Sequence, residues 1–475
     1  MKIQKNVIIA EFIDLVLFMF AFVLMFVGMN SFYSMFFIAL TIHIYLFFSW
    51  SKINRSWFNY FNILIILSFI YYFGQYLLLV LGFPLSYQYT IKNVYTPEQI
   101  NYAASFLLLN MIVLHAATIF FYKNKMYTCR KKQKKNIYDK RSFEIASLIM
   151  LFVSFICKII VLIYKCKINF TLGYNAMMSA KWGNGVISTI VNFCATFYLP
   201  ALFACLVATK DKKIKNRVVW ISYCIFICLY FLSGSRFDAI VSITGIVLLY
   251  HNFYKKLELK KVLFIGCMGI GFLFVCSVIS NIRIVWGYGQ TTNYLAIFQE
   301  ALELSKDGNL LSDTISVAGF QILSVVTVML KCPSSIPYSY GVYYLMGIAR
   351  VIPNITGGDN ALITESIDEI FHVFLTKTYG MGSSFIIEAY YNFGYFGFLM
   401  MIAYGFFIAY AVKQIENIRK NENLQMVSFI FYITSASFFW IRSDARMLIR
   451  EIVYYYFGFK FITFIIKNIL YRKGK

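Results

Sequence analysis

Six arginines lie beside or between long apolar runs, and guanidinium is the side chain best suited to bidentate contact with phosphate. They are Arg236 in a short turn, Arg283 after an apolar run, Arg350 in a long connection, and Arg442, Arg446 and Arg450 before the last run. Two explanations are open. Either each arginine acts singly, by contacting anionic headgroups or by pairing with Asp238, Asp444 or Glu451, or the six together bind a phosphate-bearing ligand. The concentration of the six arginines favours the shared ligand.

The turn Ser233–Arg236 separates two apolar runs so closely that they must form a helical hairpin. The free amides and the dipole of a helix start favour a bound anion, and Arg236 stands at that start. A plain Gly-Ser turn without a ligand explains the spacing equally well.

Glycine, serine and glutamate follow one another where a further apolar helix begins. Gly382 and Ser383 would expose backbone donors at the helix start, and Glu388 lies roughly two turns inside an apolar sequence. A carboxylate is costly in hydrocarbon, so Glu388 should face the protein interior or a wet cavity. Glu388 is a candidate general acid or base, and a structural ion pair with an arginine is the alternative.

Of the four histidines, only His372 lies away from the apolar runs. It is a candidate general base or phosphate ligand, with simple solvation as the alternative. The chain has no Walker A loop, no His-Glu-x-x-His motif and no cluster of cysteine and histidine. We therefore expect no nucleotide, no metal ion and no other cofactor.

Membrane-spanning helices must position these candidates. Of the 475 residues, 60% are hydrophobic and 20% aromatic, more than a soluble domain can solvate. Runs of roughly 20 apolar residues, enough to cross a bilayer as helix, recur along the chain. The predicted fold class is all-α and polytopic, because a membrane barrel needs short alternating segments. About twelve spans are predicted at 7–29, 31–50, 58–83, 102–122, 144–164, 186–208, 218–233, 237–253, 262–280, 383–412, 425–441 and 451–467.

Basic residues set the orientation of these spans. The net charge of +23 does not indicate nucleic acid, because the 44 lysines and arginines punctuate the apolar runs. Most fall on one side when the amino terminus is cytoplasmic, so the positive-inside rule places both termini in the cytoplasm. The first run, flanked by Lys2 and Lys5, is expected to be a span and not a removed signal peptide.

A long segment, 281–382, interrupts the alternation and is predicted to form an external lobe. It separates spans one to nine (1–280) from spans ten to twelve (383–475). Within it, Asn293–Lys306 is predicted as an amphipathic helix and Asp313–Leu330 as a strongly apolar one. The apolar helix either crosses the membrane, inverting every later span against the charge rule, or lies on or dips into the outer leaflet. We prefer the second arrangement.

At four patches the chain resembles the Wzy-type polymerases of O-antigen and capsule polysaccharide, which join oligosaccharide repeat units in bacterial envelopes. The order and topology of the patches carry the resemblance more than any single patch does. The patches are Ser233–Arg236, Tyr340–Gly341 followed by Arg350–Pro353, Gly382–Gly394 and Arg442–Arg450.

The resemblance implies a fold like that of the metal-independent, multi-helix glycosyltransferases that use polyprenyl-linked sugars. The donor would be a growing glycan on undecaprenyl diphosphate and the acceptor a lipid-linked repeat unit, both at the outer face of the bacterial cytoplasmic membrane. Glu388 or His372 would accept the proton of the acceptor hydroxyl. A chain-length regulator and a flippase are the implied protein partners. The diphosphate would be held by Arg236, Arg283, Arg350, Arg442, Arg446, Gly382 and Ser383.

Two other functions remain open at the level of sequence. An O-antigen ligase would use the same donor and the same arginines. A non-enzymatic flippase or transporter of lipid-linked oligosaccharide would place ionisable residues at many mid-helix positions, whereas here most cluster at one face. Guanidinium groups can stabilise a leaving diphosphate without metal, which favours the enzyme.

Overall fold

The computed structural model contains only helical elements in the part of the chain that it describes, which confirms the all-α class. Twelve described segments are long and apolar enough to cross a membrane, as a polytopic fold requires. The structure describes residues 2–85, 89–124, 137–172, 176–177, 182–183, 185–258, 260–262, 264, 278, 294–307, 310–349, 351, 366–375, 381–418, 423–444 and 446–473.

The described helices follow one another along the chain with short connections over most of its length. They are α1 (Lys2–Val27), α2 (Phe32–Asn54), α3 (Tyr60–Val80), α4 (Pro97–Lys123), α5 (Ile137–Thr171), α6 (Val186–Thr196), α7 (Tyr198–Ala208), α8 (Lys213–Leu232), α9 (Arg236–Leu249), α10 (Tyr294–Asp307), α11 (Leu310–Ala318), α12 (Gln321–Lys331), α13 (Val342–Ala349), α14 (Ile367–Phe371), α15 (Phe385–Phe393), α16 (Met400–Glu416), α17 (Leu424–Ser437), α18 (Arg446–Val453) and α19 (Phe459–Lys473).

Every predicted span except the ninth coincides with a candidate membrane helix to within several residues. The ninth, 262–280, lies almost wholly outside the described residues, and Thr314–Lys331 completes the twelve candidates. The helix predicted at Asn293–Lys306 is confirmed as α10. Hydropathy therefore located the helices well, because continuous apolar runs leave the backbone no other stable structure in lipid.

Opposite ends of the bundle differ in their polar contacts. We define the upper end of the bundle as the end where α1 and α3 finish and α4 begins. At the lower end, Tyr122 donates a hydrogen bond to Glu416, 2.8 Å away. Lys212 and Lys215 there pair with Glu144, at 2.5 and 2.8 Å. The lower end thus carries the basic segments that the sequence assigns to the cytoplasm.

The apolar segment predicted at Asp313–Leu330 consists of two helices, α11 and α12, that meet at Gly319. A Cβ on Gly319 would lie 2.5 Å from the backbone nitrogen of Gln75, so this position requires glycine. The Gln75 side chain donates to the carbonyl of Ser316 at 3.0 Å, which satisfies a carbonyl next to the break. Close backbone packing against α3 therefore divides what hydropathy predicts as one helix.

Both ends of the α11–α12 pair lie at the upper end of the bundle. Near its start, Ser312 donates to the carbonyl of Pro84, just after α3, at 2.6 Å. Near its finish, Leu330 shares a groove with Gly28, after α1, and Glu98, at the start of α4. Both ends of the pair therefore lie at one end of the bundle, although its length and composition would allow a crossing. Its position on or in the outer leaflet stays a prediction.

The tenth span is not the single helix predicted at 383–412. Helix α15 ends at Phe393, the chain reverses at Gly394 (φ 57°), and a 3₁₀ segment leads into α16. A Cβ on Gly397 would lie 2.6 Å from the backbone of Ala389, which shows that the two arms are folded against each other. A hydropathy window cannot detect this reversal because both arms are apolar.

Candidate functional site

The predicted hairpin at Ser233–Arg236 is confirmed. Helix α8 ends at Leu232, Gly234 adopts φ 86°, and α9 begins at Arg236. From α5, the side-chain amide of Asn169 donates to the carbonyl of Ser233 at 2.8 Å and fixes the turn. The backbone of Arg236 thus starts a helix, while its side chain lies outside the described residues.

The start of α15 is held by contacts from three other parts of the chain. Gly382 donates its amide to Asp368 Oδ1 at 2.7 Å, and Ser383 donates its amide to the carbonyl of Arg442 at 3.3 Å. Gln321 of α12 donates to the Ser383 carbonyl at 2.9 Å. These amides are engaged within the protein in this structure, so Gly382 and Ser383 position α15 here.

Glu388 lies in the first turn of α15 and is fully buried. It faces two tyrosines, Tyr344 and Tyr404, whose hydroxyl oxygens are 3.4 Å apart. Burial, and then the charge of Glu388, raise the pKa of Tyr344 well above its usual value. Glu388 thus lies at the amino end of a helix, where the backbone dipole favours negative charge.

Asp368 and His372 connect the start of α15 to the more exposed segment before it. Burial raises the pKa of Asp368, the charge of Asp444 adds to this effect, and the hydrogen bond from Gly382 opposes it. His372 is partly exposed, and its Nδ1 lies 2.8 Å from the carbonyl of Glu369, so Nδ1 carries a proton. Asp368 and His372 interact electrostatically, which places the histidine near the start of α15.

Arg442 joins the start of α15 to a second group of charges. Its carbonyl accepts the Ser383 amide, while its guanidinium lies over the Phe237 ring, 5.4 Å from the centroid, and hydrogen-bonds the Tyr71 hydroxyl. The same guanidinium interacts electrostatically with Asp238 of α9. One residue therefore connects the Glu388 helix with the hairpin at Ser233–Arg236.

Four further charged residues surround this point. Asp238 interacts with Lys158 and Lys165 of α5, and Lys158 also interacts with Glu451 of α18. All four side chains keep partial exposure. Within the described residues, no ion pair of 4.0 Å or less joins them. We call Lys158, Lys165, Asp238, Glu451 and Arg442 the charged chamber.

Residues 9–475 match the family model of the O-antigen polysaccharide polymerase Wzy. The chain belongs to this family. A Wzy protein is a multi-pass membrane polymerase of polysaccharide that acts on lipid-linked oligosaccharides, and the twelve candidate spans agree with this. No curated protein and no solved structure matches the chain, so its likeness to the metal-independent glycosyltransferase fold stays a prediction.

The sequence-predicted site residues of this Wzy protein fall into two groups. The structure brings Gly382, Ser383 and Arg442 into contact, and places Glu388 on the helix that they start. His372 lies near them through Asp368. Arg446 begins α18 but its side chain lies outside the described residues, as do Arg283 and Arg350 entirely. Whether these residues bind substrate stays a prediction.

The lysines of the charged chamber had no role in the sequence prediction. Lys158 is a lone cation in the apolar run of α5, and an ionisable residue within a span is by itself a sign of function. Lys165 follows seven residues later and so lies on the same helix face. Asp238 and Glu451 were considered only as partners of arginines.

Proposed function

We propose that this Wzy protein joins undecaprenyl-diphosphate-linked repeat units at the outer face of the bacterial cytoplasmic membrane, at the upper end of the bundle. Both termini then lie in the cytoplasm. The basic lower end supports this orientation, because positive residues favour the cytoplasmic side. The charged chamber and α15 lie toward the opposite end.

The position of Arg442 carries the proposal. Its guanidinium lies in the chamber and its carbonyl fixes the helix that holds Glu388. Three cations of the chamber exceed its two carboxylates, and the cations are not closed into ion pairs within the described residues. An anion such as diphosphate would supply the missing negative charge.

In the proposed reaction, the acceptor hydroxyl oxygen attacks the anomeric carbon of the donor sugar. The bond from that carbon to the diphosphate oxygen breaks, and the negative charge that develops on the diphosphate is stabilised by Arg442, Lys158 and Lys165. Glu388 or His372 accepts the hydroxyl proton. We expect no metal requirement, because fixed cations of the protein supply the positive charge.

Reconstitution tests this function. Purified protein in vesicles with a synthetic undecaprenyl-diphosphate repeat unit should give longer lipid-linked glycan without nucleotide, and equally well in EDTA. Transfer to another acceptor without chain growth would indicate a ligase, and movement across the bilayer without growth would indicate a flippase.

A matched pair of variants tests the role of the chamber. Arg442→Gln should lower the condensation rate about 100-fold, the usual effect of removing one donor to a developing charge. Lys167→Gln, an exposed position on α5, should leave the rate unchanged. An unchanged rate in Arg442→Gln at normal abundance would contradict the diphosphate assignment.

A further inference from the structure

Five tyrosines form a continuous series beside α15. Ring centroids are 6.1 Å apart for Tyr338 and Tyr340, 6.0 Å for Tyr338 and Tyr390, and 5.5 Å for Tyr390 and Tyr395. Tyr102 of α4 continues the series, with its hydroxyl 2.7 Å from that of Tyr395. We call Tyr340, Tyr338, Tyr390, Tyr395 and Tyr102 the tyrosine track.

The outer member of the track is held in a strained conformation with its ring in the open. Tyr340 adopts φ 47°, which side-chain-bearing residues rarely do, and 76% of its surface is exposed. Its amide donates to the carbonyl of Asn392 at 3.0 Å, and the amide of Gly341 donates to the Asn392 side chain at 3.0 Å. The fold maintains this backbone strain although the side chain is not buried. This combination points to a function of the ring.

The inner tyrosines of the track carry hydroxyl groups at positions where a packed core would usually have apolar side chains. The hydroxyl of Tyr390 interacts with those of Tyr338 and Tyr395, and Tyr395 accepts from Tyr102. Tyrosines in the interfacial aromatic belt of a membrane protein place their hydroxyls toward water or headgroups. The Tyr390 ring is itself buried, so the accessible surface of the track comes from Tyr340 and Tyr395 and, in part, from Tyr338 and Tyr102.

The track ends at an open groove of about 320 Å³ between α1, α4 and α12. Tyr102 and Tyr395 form one wall, Glu98 and Gln99 supply polar groups at the rim, and Met329 contributes to the apolar part. Flat aromatic faces next to carboxylate and amide groups suit a pyranose ring, which has apolar C–H faces and an equatorial rim of hydroxyls. Tyr390, the middle member of the track, lies two residues along α15 from Glu388.

We propose that the tyrosine track and its groove bind the growing glycan as it leaves the reaction centre. The inference rests on the proposed polymerase function and adds a binding site for the product chain. The ligand class is an oligosaccharide of several repeat units, bound through its sugar faces and not through its diphosphate. Retention of the chain there keeps it at the enzyme between successive additions.

Tyr340→Gly provides a test in which folding is not a confounding effect, because glycine relieves the positive φ while the ring is removed. In the reconstituted system this variant should keep the thermal midpoint of the wild type, or exceed it, and should shorten the product several-fold. Tyr395→Leu, at the other end of the track, should also shorten it. Tyr340→Phe, which keeps the ring face, should restore long chains.

Direct binding completes the test, with delipidated wild-type polymer of several repeats as the probe. Saturation-transfer NMR should show binding to the wild type and about tenfold weaker binding to Tyr340→Gly. Tyr33→Ala is the matched control, since Tyr33 is 55% exposed at the upper end but lies outside the track. It should leave both binding and product length unchanged.

Normal chain length and normal probe binding in Tyr340→Gly and Tyr395→Leu would overturn the inference. Equal losses of thermal stability in Tyr340→Gly and Tyr33→Ala, without any effect on chain length, would also overturn it in favour of a membrane-interface role. Failure of the wild type to lengthen lipid-linked glycan would instead refute the proposed function. The two failures are therefore distinguishable.

Discussion

Two groups of ionisable residues within the described membrane-spanning helices are built differently. Toward the lower end, His115 Nδ1 lies 2.8 Å from Asp14 Oδ2, and Tyr45 donates to Asp14 at 3.0 Å. His115 and Asp14 are 0% and 2% exposed. In the charged chamber, Lys158 and Asp238 remain partly exposed and are not in direct contact.

Under the proposed function, this difference separates a structural cluster from a cluster that binds substrate. Asp14 and His115 are in direct hydrogen-bond contact and join α1 to α4. The chamber leaves its charges apart at the point where helices of the upper end converge. Buried charges are costly unless they are paired, and a separated arrangement is best explained by a charged ligand that completes it.

The largest effect is expected in the chamber. Lys158→Met should lower the condensation rate about 100-fold, because in the proposed reaction the ammonium group stabilises the diphosphate. The thermal midpoint of unfolding should be retained, because methionine can still pack against the Phe226 and Tyr230 rings that the ammonium group faces. Lys167→Met on the same helix is the control. A variant that unfolds early but keeps its specific activity would show that the chamber is structural, like the Asp14–His115 pair.

Breaking the lower cluster should have the opposite profile. His115→Leu leaves the Asp14 carboxylate buried without its partner and should reduce the free energy of unfolding by about 3 kcal/mol. Chain growth per folded molecule should not change. The double variant Asp14→Leu/His115→Leu should recover much of the loss, as measured by thermal unfolding in detergent. If it is less stable than either single variant, the pair is not a charge-compensated unit.

A smaller effect is expected for Tyr45→Phe. This change removes one hydrogen bond to Asp14 and should cost about 1 kcal/mol, with the His115 contact left in place. Thermal unfolding measures the loss, and Tyr33→Phe serves as the control for an exposed tyrosine. Loss of polymerase activity in Tyr45→Phe would place the lower cluster in the mechanism, contrary to its closed geometry.

The smallest effect concerns the pH dependence of stability at the edge of the site. Because burial raises the pKa of Asp368, the folded state binds its proton more tightly than the unfolded chain does. Its stabilising contribution is therefore present at low pH and lost as the pH rises above about 4 and through the raised pKa. Asp368→Asn should make the thermal midpoint fall less steeply as the pH rises. An unchanged slope would contradict the raised pKa of Asp368.

The sequence was sufficient to predict most of the helices but not how two of them are broken. Hydropathy averages over a span, so it located α1 to α9 and could not report the break at Gly319 or the reversal at Gly394. Both depend on backbone contacts with residues that only the fold brings near, Gln75 in one case and Ala389 in the other. The glycines alone gave a weak signal, since glycine is common in membrane helices.

The candidate site was predictable where residue type alone carries the chemistry. Arg442, Ser383 and Glu388 were found because an arginine at an outer turn and a carboxylate in an apolar helix are unusual. The contribution of Lys158 and Lys165 could not be deduced, because it depends on α5 packing beside α8 and α9. The tyrosine track was hidden for another reason, since tyrosine is abundant throughout the chain.

Arg442 contacts two parts of the fold, one through its backbone and one through its side chain, and this limits which sequence changes the region tolerates. Its backbone fixes the helix that holds Glu388, and in the proposed reaction its side chain contacts the diphosphate. Substitution of the side chain leaves the peptide in place, so anion binding can be weakened while α15 keeps its position. A residue inserted or deleted between Ser437 and Arg446 would shift the two functions together. We therefore expect the length of this connection to tolerate less change than its composition.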